Sequence, residues 1–236
     1  MRAMRRIQLD TESVVQRTRS AGVPVAAPSL FSSIFRGALG FTVVSVLGFA
    51  PWAVFGAPLY RHLGEAGLYV VCAGVFVAGS GAVMHRLIIG PGALIRFYGV
   101  FSIAFTVYSA AWILAWVSLQ GHVGSLVGLV AGTVLMGLII AYAFDNLQCG
   151  FRIIVVLFGM NAAGYFAGGA VDAAVLRADG LPLSNESRSL LAHTLWGACY
   201  GLGFGAGIGW AFYLVQARTR AAIKSLRTQG EGVSFQ

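Results

Sequence analysis

Six long apolar runs, parted by short polar connections, occupy the chain between Gly37 and Val215. They cover about 37–60, 67–88, 93–119, 123–144, 153–176 and 190–215. Each is close to the roughly 20 residues that a helix needs to cross the hydrocarbon core of a bilayer. No water reaches the backbone there, so every N–H and C=O must be satisfied within its own segment, which an α-helix does. Composition agrees: 10% of the residues are charged and 58% hydrophobic, whereas a soluble domain carries about 25% charged residues to cover its surface. The expected fold is an all-α integral membrane protein, a bundle of about six transmembrane helices.

Three parts follow: a basic leader over 1–36, a six-helix domain over 37–215 and a basic tail over 216–236. In the leader, Asp10 to Arg19 suits a short helix, which Pro24 and Pro28 interrupt. Pro28 suits the first turn of a new helix. Leu30, Phe31, Ile34 and Phe35 share a face at helical spacing, so an interfacial amphipathic segment is expected there. Pro51 is expected to bend the first spanning helix. Gly90-Pro91-Gly92 divides the second run from the third, as a turn or, alternatively, a re-entrant loop. In the tail a short basic helix is expected through Leu226.

Charge orients the bundle. With six spans, Arg2, Arg5, Arg6, Arg17, Arg19, Arg36, Arg86, Arg96, Arg152, Arg218, Arg220, Lys224 and Arg227 fall on one side, and Arg61, Arg177 and Arg188 on the other: thirteen cations against three. The excess marks the cytoplasmic face, so both termini are expected there, in a bacterial inner membrane. The net charge of +8 is then a topology signal and a match for anionic headgroups, and nucleic acid is not an expected partner. The cysteines Cys72, Cys149 and Cys199 form no C-x-x-C pair and read as small apolar fillers.

Small residues four apart let helices approach closely in lipid. The sixth run carries Gly197, Gly201, Gly205 and Gly209 in unbroken register, with Gly203 and Gly207 on its opposite side. The fourth carries Gly124, Gly128 and Gly132, and the fifth Gly164 and Gly168. Glycine-mediated close packing of helices four to six is the expectation. The sixth helix has two smooth faces and can sit between two neighbours, or between this chain and another.

Ionisable and amide groups at membrane depth are costly and therefore informative. Asn161 and Asp172 share a face of the fifth run with Gly164 and Gly168, either as a hydrogen-bonded seam or as a polar track. His62, His122 and His193 fall at one boundary, with Glu65, Asp172, Asp179 and Glu186 on the same side. They are weak candidates for a metal site, because no ligand-spacing motif joins them. Asp145, Asn146 and Arg152 suit a turn between the fourth and fifth runs. No Walker loop, nucleophile elbow or carboxylate pair is present, so no catalytic residue is assigned and no cofactor is expected.

The first expectation for function is a non-catalytic membrane subunit that packs against partner membrane proteins or a second copy of itself. The alternative is a small-solute transporter or channel using the Asn161–Asp172 stripe. A metal-dependent membrane enzyme ranks third.

Overall fold

The computed structural model describes residues 8–22, 27–178 and 182–231, without the side chains of 51–53 and 227–231. Arg2, Arg5, Arg6, Pro24 and Asp179 lie outside the described residues, as does the side chain of Arg227. Helix α1 (Thr11–Ala21) is the short leader helix. The Asp10 carboxylate caps it by accepting from the Ser13 N–H at 2.9 Å, and Gly22 ends it at φ 60°.

A long helical run, α2 (Leu30–Met84), follows. Ser29, not Pro28, sits at its start, its hydroxyl accepting from the Ser32 N–H at 3.1 Å. The helix therefore begins well before Gly37. The segment expected to lie in the interface forms the first turns of a spanning helix, with Phe31 and Phe35 exposed on its outer side. Backbone angles leave the helical region at Phe55 (φ −118°, ψ 16°) and Gly64 (φ 70°, ψ 179°), not at Pro51. Pro58 supplies a reason: it has no N–H, and in a regular helix its ring would clash with the carbonyl four residues earlier, that of Val54, beside Phe55. The run divides into two apolar spans, Leu30–Ala50 and Val54–Leu87. They fold back antiparallel, with Gly40 against Val83 and Met84, Val44 against Gly79, and Gly48 against Phe76.

The remaining spans are α3 (Ala93–Leu119), α4 (Gly121–Ala143), α5 (Gly150–Leu176) and α6 (Asn185–Val215), followed by α7 (Ala217–Glu231). Six helices are thus long and apolar enough to cross a membrane, and no strand occurs among the described residues. The tail helix runs past Leu226. Gly90-Pro91-Gly92 is a turn: His85–Leu87 forms a short 3₁₀ segment, Gly90 and Gly92 take φ of 90° and 72°, and α3 starts at once.

The basic end of the bundle is tied by side chains that satisfy backbone groups. Buried Gln216 accepts from the Ile89 N–H at 2.9 Å and donates to the Leu87 and Phe212 carbonyls, both at 2.8 Å. Asn146 donates to the Val215 carbonyl at 3.1 Å, which fastens the α4–α5 turn. Helix α1 lies against α7, where the Thr11 and Thr219 hydroxyls are 3.1 Å apart.

Helix α6 is central. A Cβ added to Gly209 would land on the Ser33 carbonyl oxygen, and one on Gly205 on the Gly37 carbonyl oxygen. At Gly201 it would meet Thr42 Cα at 2.5 Å, and at Gly197 Phe49 Cδ2 at 3.2 Å. The four glycines meet, in turn, the carbonyl oxygens of Ser33, Gly37, Phe41 and Ser45, so each step of four along α6 matches a step of four back along the first span of α2. On the opposite side, a Cβ at Gly203 would meet Gly164 Cα at 2.6 Å, so α5 closes that face. Both smooth faces of α6 are filled by this chain. The glycines of α4 turn elsewhere: Gly132, Gly128 and Gly124 lie on Tyr108, Trp112 and Ala115 of α3. Glycine seams therefore join α3 to α4, α5 to α6, and α6 to the first span, while α4 also meets α5 where Gly137 abuts Ile154.

Candidate functional site

Aromatic side chains recur on α3 at Phe97, Phe101, Phe105, Tyr108, Trp112 and Trp116, in steps of four and three that keep them on one face. Helix α6 adds Trp196, Tyr200 and Phe204 at steps of four, and α2 adds Phe49, Tyr69 and Phe76. These stripes converge inside the bundle. Toward the basic end the rings fill the interior: Phe97, Phe101, Phe204 and Phe212 are fully buried. Toward the other end they leave a cavity of about 270 Å³, near the lower bound of about 300 Å³ for small-molecule pockets.

Four helices wall the cavity. Helix α2 contributes Tyr69, Cys72 and Phe76, α3 Tyr108, Trp112 and Trp116, α5 Tyr165, and α6 Trp196 and Tyr200. The rings brace one another, Trp196 stacked on Tyr200 at 5.3 Å and Trp112 on Trp116 at 5.7 Å between centroids. Polar atoms are few and mostly paired. Buried Asn161 donates to the Tyr108 hydroxyl at 2.8 Å, which lies 3.3 Å from that of Tyr200. The Tyr165 and Ser125 hydroxyls are 2.9 Å apart. Glu65, beside the Gly64 break, accepts from Trp116 Nε1 at 2.7 Å and from the Tyr69 hydroxyl at 3.4 Å. Trp112 Nε1 is buried with no hydrogen-bond partner among the described residues. A buried N–H without an acceptor costs about 1–3 kcal/mol.

This arrangement can hold a small molecule by ring-face contact, with the Glu65 carboxylate bonded to two of the wall residues, Trp116 and Tyr69. Aromatic faces are electron-rich, and a cation over them gains about 0.5–2 kcal/mol per ring.

The residues singled out from the sequence have other roles. Asn161 is fully buried and supports Tyr108. Gly164 and Gly168, between it and Asp172, face Cys199, Tyr200 and Trp196 of α6. The stripe is thus a helix seam carrying one internal hydrogen bond, and α6 covers the two glycines of the expected polar track. Asp172 lies near the far end of α5, where its charge acts on His193. His62 and His122 are exposed, and among the described residues no three histidine, cysteine or acidic side chains gather where they could hold a metal ion. The metal-site candidate does not assemble.

Sequence reasoning missed the aromatic cavity, although its signal was present. The six-residue aromatic face of α3 is periodic, but such a stripe reads equally well as core packing, and only convergence with α2, α5 and α6 opens a space. No family model, no curated protein and no solved structure matches the chain.

Proposed function

We propose that the chain is a membrane-embedded binding or transport protein for a small organic cation with an apolar body. The aromatic cavity, with Glu65 hydrogen-bonded to its wall residues Trp116 and Tyr69, carries this reading. Rings offer faces to an apolar or cationic group at little conformational cost, and a single carboxylate bonded to the wall favours a cation. No catalytic constellation is needed for such a role, and none is invoked.

The test is a fluorescence titration of the protein in lipid nanodiscs with benzyltrimethylammonium and with a neutral compound of the same shape. Three of the five tryptophans line the cavity, so binding should quench emission saturably. Glu65→Gln should weaken the cation about tenfold, or about 1.4 kcal/mol, and leave the neutral compound unchanged. Absence of saturable quenching by either compound would sink the reading.

A second reading, a subunit or self-associating membrane protein, draws support from α5. Gly159, Ala163, Ala167, Ala170 and Ala174 recur at steps of three and four and are all exposed. A smooth face of this kind suits a neighbouring helix in lipid. The glycine ridge of α6 is already covered by this chain, so the partner contact is better sought on α5. Mass spectrometry of tagged protein in mild detergent tests it. A stoichiometric partner or second copy, lost on Ala163→Leu, is the supporting result, and a lone chain speaks against it.

A further inference from the structure

A second site lies at the opposite, basic end. Arg96, in the first turn of α3, is only 3% exposed. Its Nη2 donates to the carbonyls of Ile89 at 3.0 Å and Pro91 at 2.6 Å, which pins the Gly90-Pro91-Gly92 turn. Its Nε and Nη1 are buried and have no partner among the described residues. A guanidinium carries five N–H donors, and the three on Nε and Nη1 are left without acceptors. The charged side chain that acts on it is another cation, Arg17 of α1. Two neutral carbonyls do not compensate a buried positive charge, and an unpaired one is strongly destabilising.

The surroundings provide donors rather than acids. Helix α1 lies over the turn: a Cβ at Gly90 would meet Val14 Cγ1 at 3.1 Å, Arg96 Nη2 at 3.4 Å and Thr18 Oγ1 at 3.5 Å. Between α1 and the turn is an open cavity of about 570 Å³, lined by Gln8, Gln16, Arg17, Ser20 and Pro91 among others, with no carboxylate among the described residues of its wall. Pro91 belongs to both features: its carbonyl is held by Arg96, and it is one of the residues lining the cavity. Guanidinium groups and neutral amide and hydroxyl donors are the set that binds phosphate oxygens. The place is the end of a helix long and apolar enough to span a membrane, where lipid headgroups would lie.

We infer that Arg96 and Arg17, with α1 closing over them, form a binding site for a phosphate group. It is carried either by a phospholipid headgroup or by a free phosphate. The anion supplies the counter-charge that Arg96 lacks, and it joins α1 to the Gly90-Pro91-Gly92 turn. The site is separate from the aromatic cavity and does not depend on it.

The experiment is thermal unfolding of delipidated protein in a neutral detergent. Inorganic phosphate is titrated in one series and phosphatidylglycerol in another, on wild type, Arg96→Gln and Arg17→Gln. Wild type should gain stability saturably, and Arg17→Gln should need about tenfold more ligand, the loss of one charge-assisted contact. Stabilisation by phosphate alone identifies a free phosphate, and stabilisation by phosphatidylglycerol only identifies a lipid. Arg17 lies on a surface helix, so its variant keeps the test open if Arg96→Gln does not fold. Wild type that gains nothing from either ligand, or Arg17→Gln that responds like wild type, overturns the inference.

Discussion

At the basic end, Phe97, Phe101 and Phe105 stack along α3 with centroids 4.9 and 5.3 Å apart, and Phe212 and Phe204 close over them. The same stripe continues toward the other end as Tyr108, Trp112 and Trp116, and there the interior opens. Residue class and spacing are shared, yet one half is filled and the other hollow. Phenylalanine has no polar atom and can rotate to whatever angle fills space. Tyrosine and tryptophan bring an O–H or N–H that must find a partner when buried. Tyr108 is held by Asn161 and Tyr200, Tyr165 by Ser125, and Trp116 by Glu65. Rings fixed by hydrogen bonds to surrounding helices cannot also collapse inward. Those bonds fix four of the rings that line the cavity, Tyr108, Tyr200, Tyr165 and Trp116.

The seams that hold both halves should show the largest effect. Gly205→Leu forces a side chain onto the Gly37 carbonyl, where two backbones touch. We expect a loss of at least about 3 kcal/mol, near the upper range for overpacking, read by unfolding in mixed detergent micelles. Gly159→Leu, with nothing within 4 Å of its Cβ position, should unfold like wild type. Equal behaviour of the two variants would break the account of α6 as the central helix.

Gln216→Leu comes next. It removes three hydrogen bonds and leaves the Ile89 N–H and Leu87 carbonyl unpaired at the basic end. About 2 kcal/mol should be lost in the same assay, from about 0.6 kcal/mol per bond in a membrane protein plus unpaired groups. Asn161→Leu should cost less, about 1 kcal/mol, and should loosen Tyr108, seen as a faster reaction of the cavity tyrosines with a hydroxyl-directed reagent.

The smallest stability change sharpens the comparison most. Ala73 lines the cavity and is half-buried. Ala73→Leu should fill the cavity with a stability change under about 1 kcal/mol, and should abolish saturable quenching by benzyltrimethylammonium. A comparable addition at Ala104, fully buried in the filled half, should cost about 1–3 kcal/mol.

Apolar length made the six spans readable in the sequence. The six spans, the Gly90-Pro91-Gly92 turn, the short helix after Asp10 and the turn at Asp145 and Asn146 all follow from local rules, and each is present. The start of the first span was harder. Ser32, Ser33 and Arg36 lower the local hydrophobicity, while tertiary packing rewards it: Ser33 is buried where its carbonyl receives Gly209. The bend was misplaced because two prolines, Pro51 and Pro58, offer the same local signal.

The sequence by itself determined that helices exist, where they end and which faces are smooth, because backbone satisfaction in lipid and close approach at glycine are properties of single segments. Tertiary structure alone decided which smooth faces meet. Gly201 and Gly205 find Thr42 and Gly37 across most of the chain, and no pattern within either segment names its partner. The cavity and the Arg96 site are of the same kind. Each is a remainder left when several helices come together, a space the rings cannot close in one case and a charge without a counter-ion in the other, and a remainder has no residue pattern of its own.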